Sequence, residues 1–233
     1  TRAIETVIAA LRAAPGARAH ILHLSSAAAL PAIRAAKAEG LPLSVETCPH
    51  YLVFDAERIP DGGTAFKCCP PIRSEANRDL LWAALADGTI DFVASDHSPA
   101  TAALKLAGDG DFGVAWGGIS GLQLAFTAVF TEARRRGHTL DEVLGWMSTA
   151  TAAFAGLHDR GSIRIGARAD LVAFTPDRPF TVDAATLRHK NPVTAYDGAA
   201  LTGVATATWV GGALAQRGGS LSDPVVGALV ARP

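Results

Sequence analysis

"ARAHILHLSSAAALPAIRAAKAEGLPLSVETCPHYLV" (residues 17–53) reads as a strand, a helix and a second strand in succession. The apolar run around Ile21 and Leu24 stops at Ser25 and Ser26, and the following segment spaces its apolar residues at helical intervals until Gly40. "LPLSVETCPHYLV" (41–53) then returns to a strand pattern. Pro31 fits only the first turn of the intervening helix, since deeper in it would remove a backbone hydrogen bond and clash with the preceding turn. Alternation of this kind predicts an α/β fold with a parallel sheet.

The same rhythm extends on both sides. "TRAIETVIAALRAAPG" (1–16) is an amphipathic helix rather than a signal peptide. "TAFKCCPP" (64–71) reads as a third strand, "SEANRDLLWAALADG" (74–88) as a helix capped by Ser74 and closed by Gly88, and "TIDFVASDHSP" (89–99) as a fourth strand. A glycine-bearing loop (107–121) and two helices, about 120–137 and 139–157, come next. From "GSIRIGARADLVAFTP" (161–176) onward the pattern changes to short alternating strands, with a hairpin about Gly211 and Gly212. These signals predict two regions, 1–159 and 160–233, the second ending in a loosely held tail over 220–233.

Among the 233 residues, 49% are hydrophobic and 18% charged, with a formal net charge of -1 and no long run of one sign. Neither nucleic acid nor an anionic membrane is an expected partner, and a small neutral or weakly charged ligand fits better. No apolar stretch approaches the roughly 20 residues that cross a bilayer. Cys48, Cys68 and Cys69, odd in number and with two adjacent, suit reduced thiols and a cytoplasmic protein.

In parallel α/β architectures the carboxyl ends of the strands face the ligand. The four expected strands end near His23, His50, Cys69 and Asp96. Side chains alternate along a strand, so His20 and His23 face opposite ways, and His23 is nearer the rim. Two imidazoles and a carboxylate can hold Zn²⁺, and a carboxylate can also carry a proton, which favours Asp96 over His97. Each residue also has a structural reading: a hydrogen-bonded histidine, or an aspartate capping the turn at "HSP". Cys69 has no base beside it in sequence and reads as an inert thiol or a wall, while "AWGGISG" lacks the order of a phosphate-binding loop. His138, His158 and His189 default to surface or structural roles.

Seven stretches, "HILHLSSA", "VETCPHYLVFD", "FKCCPPIR", "DFVASDHSP", "AWGGISGLQ", "GSIRIGARADLVAF" and "LRHKNPVTAYDG", resemble in order those of the cyclic amidohydrolases, and among them the allantoinases. The resemblance implies a TIM barrel with a small β-sandwich, and hydrolysis of the cyclic ureide allantoin to allantoate at a two-metal, usually zinc, centre in purine catabolism. It places His23 and His50 on the more exposed metal and Asp96 on the buried one as acid and base. It also puts main-chain groups around Cys69 and Gly118 against the substrate ring, and implies a homotetramer. Dihydroorotase, hydantoinase or dihydropyrimidinase activity, and a non-catalytic scaffold, stay open as alternatives. The family's H-x-H pair and bridging lysine have no counterpart here, so the chain is expected to be the second half of the barrel, weakly active by itself.

Overall fold

The computed structural model describes residues 1–222 and 227–230. Its first elements are α1 (Arg2–Ala13), β1 (Ala19–Ile21), α2 (Leu30–Ala38), β2 (Leu43–Thr47), α3 (Pro49–Val53), α4 (Glu75–Ala86), β3 (Phe92–Val93) and α5 (Ala102–Lys105). β1 and β3 flank β2 in a parallel sheet, with Ile21 opposite Val45 and Glu46 opposite Phe92. Backbone bonds carry the ladder past its ends, from Leu24 N–H to Glu46 O (2.8 Å) and from Ala94 N–H to Thr47 O (3.0 Å). Both faces of such a sheet are covered, so Val45 and Ile33 of α2 are wholly buried. Pro31 does stand in the first turn of α2, and the Ser74 side chain accepts from Asn77 N–H to cap α4.

Two expected strands are corrected. Residues 64–71 hold a 3₁₀ turn, Thr64–Phe66, followed by irregular chain with a cis Cys69–Pro70 bond. Pro70 and Pro71 have no N–H to give a ladder. Side chains hold this segment instead: Tyr51 Oη donates to Pro70 O (2.7 Å) and Ser25 Oγ to Pro71 O (2.6 Å). The strand expected over 89–99 contracts to Phe92–Val93 because the chain turns away before Asp96, whose φ is +45°.

A buried ion pair ties α4 to the chain just after α3. Arg78 Nη1 donates to Asp55 Oδ2 at 2.5 Å, and the two side chains are 5% and 1% exposed. Arg78 Nη2 continues to Glu75 Oε1 (2.7 Å), while Asp55 Oδ1 and Arg78 Nε lack hydrogen-bond partners.

The later elements are α6 (Ala125–Arg135), α7 (Leu140–Leu144), α8 (Ala150–Phe154), β4 (Leu171–Thr181), β5 (Ala200–Val210), β6 (Ala213–Arg217) and β7 (Ser220–Leu221). A π-helical turn, Gly145–Thr149, joins α7 to α8. Thr139 and Glu142 form a reciprocal capping box at the start of α7. The four strands make one antiparallel sheet in chain order, with Gly211 and Gly212 turning the β5–β6 hairpin as expected. Phe130 and Phe174 meet edge to face at 5.2 Å, and bare Gly203 lets the Phe174 ring approach the backbone of β5.

Internal contacts divide the chain into two units, residues 1–125 with 183–198, and residues 126–182 with those from 199 onward. The change of pattern expected near 160 falls inside the second. Of the expected tail, residues 220–221 form β7, and 223–226 and 231–233 lie outside the described residues.

Candidate metal centre

β1 ends at Ile21, and two residues later His23 takes a φ of +36°. Asp96, beyond the end of β3, also lies in the left-handed region, where side chains with a Cβ are uncommon. Both residues thus sit on turns that follow β1 and β3, the two strands on either side of β2. His50 arrives differently: β2 stops at Thr47, Cys48 is the N-cap, and Pro49 opens α3 with His50 in its first turn. The expected strand end at His50 is therefore a helix start, and Pro49 is accommodated because the first helical position needs no N–H.

One ligand atom each from Cys48, His50 and Asp96 lies within 4.8 Å of the other two. Donors to a single ion, at bonds of about 2.0–2.3 Å, span comparable separations. His23 is not a member of this compact set, but its charge acts on both Asp96 and His50, so it borders the same space. Burial pushes the Asp96 carboxyl above its usual range; His23 opposes that shift and Glu46 adds to it. Burial, with His23 contributing, pulls the His50 imidazole down to about 3, so at neutral pH it is uncharged and keeps a lone pair.

His50 is 1% exposed, and its buried Nε2 has no hydrogen-bond partner. Leaving such an atom unmatched costs roughly 1–3 kcal/mol. A cation held by that nitrogen accounts for it, so the donor set fits a divalent metal. Cys48, also wholly buried, is held in its thiol form by burial first and then by the charges of Asp96 and Glu46.

Cys69 and Gly118 come together at one edge of the unit. A Cβ placed on Gly117 would stand 3.3 Å from Cys69 Sγ, and one on Gly118, at φ +138°, would strike Ser98 O. Gly118 N–H donates to Lys67 O (3.0 Å), and Gly118 O accepts from the buried Lys105 Nζ. That ammonium also reaches Trp116 O at 3.2 Å, and burial draws it down to about 8. The Gly118 N–H and one lone pair of its carbonyl are therefore committed within the protein.

Sequence reasoning missed two features. Cys48 carried a signal, its C-x-H spacing to His50, which becomes meaningful once α3 bends the chain back. His189 carried no local signal, yet its ring lies 5.3 Å from that of His97, with Nδ1 2.9 Å from Ser120 Oγ and Nε2 buried without a partner. His97 Nδ1 in turn accepts the N–H groups of Gly121 and Leu122, both at 3.2 Å.

The sequence model described as "Amidohydrolase family" matches residues 3–215. The chain belongs to the amidohydrolase family. As an amidohydrolase it is 57% identical to the allantoinase of Streptomyces avermitilis over 89% of the chain and 46% of that protein. It is 46% identical to the allantoinase of Arabidopsis thaliana, over 93% and 43%. Among solved structures, L-hydantoinase from Arthrobacter aurescens superposes with a TM-score of 0.87 at 29% identity, covering 95% of the chain and 49% of that enzyme. Dihydropyrimidinase from Brevibacillus agri gives 0.86 at 30%, covering 93% and 48%. The chain thus spans about half the length of the relatives it matches. Its β/α succession is a portion of the TIM barrel of this metal-dependent family, and Cys48, His50 and Asp96 are a candidate metal-binding group within it.

Proposed function

We propose that this amidohydrolase opens a cyclic amide, hydrolysing allantoin to allantoate at a centre of two divalent cations, preferentially zinc, in cytoplasmic purine breakdown. The observation that carries the substrate is the 57% identity to the Streptomyces avermitilis allantoinase. The buried, unpartnered His50 nitrogen beside Asp96 supports the metal.

His23, His50 and Asp96 would hold cations, which supply Lewis acidity toward the ring carbonyl and lower the pKa of a water. Asp96, the carboxylate with the raised proton affinity, takes the proton from the attacking water and passes it to the departing ring nitrogen. His50 stays neutral and donates its lone pair. Main-chain groups at Cys69 and the Gly118 carbonyl orient the ring N–H groups. Hydantoin-type substrates are the second reading, favoured by the superposition on hydantoinases at about 30% identity.

The test exchanges this chain for the matching segment of the Streptomyces avermitilis allantoinase and assays the chimera on allantoin, dihydroorotate and hydantoin. Allantoin should be preferred, and Asp96→Asn should reduce turnover by about 10²–10⁴-fold. Preference for another ring, or an active Asp96→Asn variant, would overturn the proposal.

A further inference from the structure

We propose that Lys105 is a positioning residue for ring recognition: its ammonium clasps two separate main-chain segments, at Lys67 and at Trp116–Gly118, and so sets the wall that meets the cyclic substrate. The inference rests on the reading above that main-chain groups at Cys69 and Gly118 orient the ring, and it adds the side chain that holds them in place.

α5 is a single turn, capped by the Thr101 side chain, which accepts from Leu104 N–H. Lys105, its last residue, is only 4% exposed, a rare state for a lysine. Its Nζ donates to Lys67 O (2.5 Å), Trp116 O (3.2 Å) and Gly118 O. An ammonium has three N–H groups and no acceptor, so three carbonyls saturate it. Lys67, Trp116 and Gly118 all lie outside helices and strands, so no ladder fixes either segment. Other bonds knit the same pieces together: Gly118 N–H donates to Lys67 O (3.0 Å), Trp116 N–H to Leu104 O (3.0 Å) and Lys67 Nζ to Ala115 O. Lys105 sits where α5 and both segments meet. Burial draws its ammonium down to about 8, with Cys68 and Cys69 opposing that shift and Lys67 adding to it, so at neutral pH all three donors remain. Bonds from a charged donor are about twice as strong as neutral ones, and methionine, similar in length, would leave three carbonyls without this partner.

In the unmodified chain, which needs no variant to fold, hydrogen-bond couplings measured by nuclear magnetic resonance should link the Lys105 side-chain nitrogen to the carbonyl carbons of Lys67, Trp116 and Gly118. Lys105→Met should speed amide exchange at Trp116 and Gly118 roughly 10–100-fold, as loss of a charge-assisted bond does, while Leu24 N–H beside the parallel sheet stays within about 3-fold. In the allantoinase chimera the same substitution should raise KM at least about 10-fold and change kcat by less than about 3-fold, on whichever ring the parent chimera opens, because orientation is lost and the proton-transfer groups are untouched. A purely structural lysine would lower kcat through the folded fraction and leave KM alone. Preference of the parent chimera for a ring other than allantoin refutes the substrate and leaves the clasp standing, so the two proposals fail separately. Missing couplings, equal acceleration at Leu24, Trp116 and Gly118, or an unchanged KM would overturn the inference.

Discussion

Gly118→Ala is expected to destabilise the first unit and loosen the chain at Asp96, whereas the neighbouring Gly117→Ala should do little. At φ +138° the residue occupies a region nearly reserved for glycine, at a cost of about 1–3 kcal/mol for any side chain. The new Cβ would also approach Ser98 O inside the 3.0 Å that real Cβ atoms keep, and that oxygen is backbone, so the chain itself must shift. Ser98 is tied on both sides: its N–H donates to Ile119 O (2.8 Å), its Oγ accepts from Ile119 N–H (2.9 Å) and donates to Asp96 O (3.2 Å). Losing one or two of these bonds adds about 1–2 kcal/mol. The sum, about 2–5 kcal/mol, corresponds to a fall of roughly 4–20 °C in thermal midpoint for a chain of this size. At Gly117 the nearest atom is Cys69 Sγ, 3.3 Å away at the free end of a side chain, and the expected change is below about 1 kcal/mol. Thermal unfolding of both variants, with and without zinc, checks the contrast. A Gly118→Ala midpoint within about 2 °C of the parent, or equal losses for both variants, would refute the reasoning.

Arg78→Met leaves the buried Asp55 carboxylate only the longer ion pair with the exposed Arg58, at 3.6 Å, and should cost about 3–5 kcal/mol in urea denaturation; a loss under about 1 kcal/mol would show that Arg58 suffices. Glu142 is drawn down to about 2, first by the Thr139 backbone N–H and then by His138 and the Thr139 hydroxyl. Because the folded-state value is depressed, the cap contributes fully above the unfolded value near 4.5 and is lost as pH falls toward 2. The thermal midpoint of Glu142→Gln should therefore vary less than the parent's across that window, and parallel profiles would count against the cap. Chelation should lower the stability of zinc-loaded protein by about 2.7 kcal/mol if zinc had stood at 100 times its dissociation constant, and the thermal midpoint should fall with it. A midpoint indifferent to both chelator and added zinc would argue against a resident cation.

Local signals made some elements legible. Ser74 and Gly88 bracket α4, Gly40 follows α2, and paired glycines turn the β5–β6 hairpin, each acting within a few residues of the element it bounds. Where two local meanings compete, tertiary context decided. Pro49 suits both a strand end and a helix start, and Tyr51 reaching Pro70 O favours the helix. Cys68 and Cys69 resemble strand residues, but two prolines follow them and side-chain bonds take the place of a ladder. Within the candidate site, His23, His50 and Asp96 were expected from the rule about strand ends; the structure clusters His50 with Asp96, and His23 lies close enough for its charge to act on Asp96. The His97–His189 pair joins residues far apart in sequence, and the cluster of Cys48 with Asp96 depends on β2 lying beside β3, so neither pattern is readable from neighbours along the chain.

His23 and Asp96 hold backbone angles at which glycine would be more comfortable, by about 1–2 kcal/mol per residue for an ordinary side chain. Selection for heat resistance alone would therefore push positions 23 and 96 toward glycine, removing an imidazole and a carboxylate from the proposed centre as it did so. Stability and chemistry pull in opposite directions at these two positions, which makes them a place to look for drift in relatives released from catalytic duty.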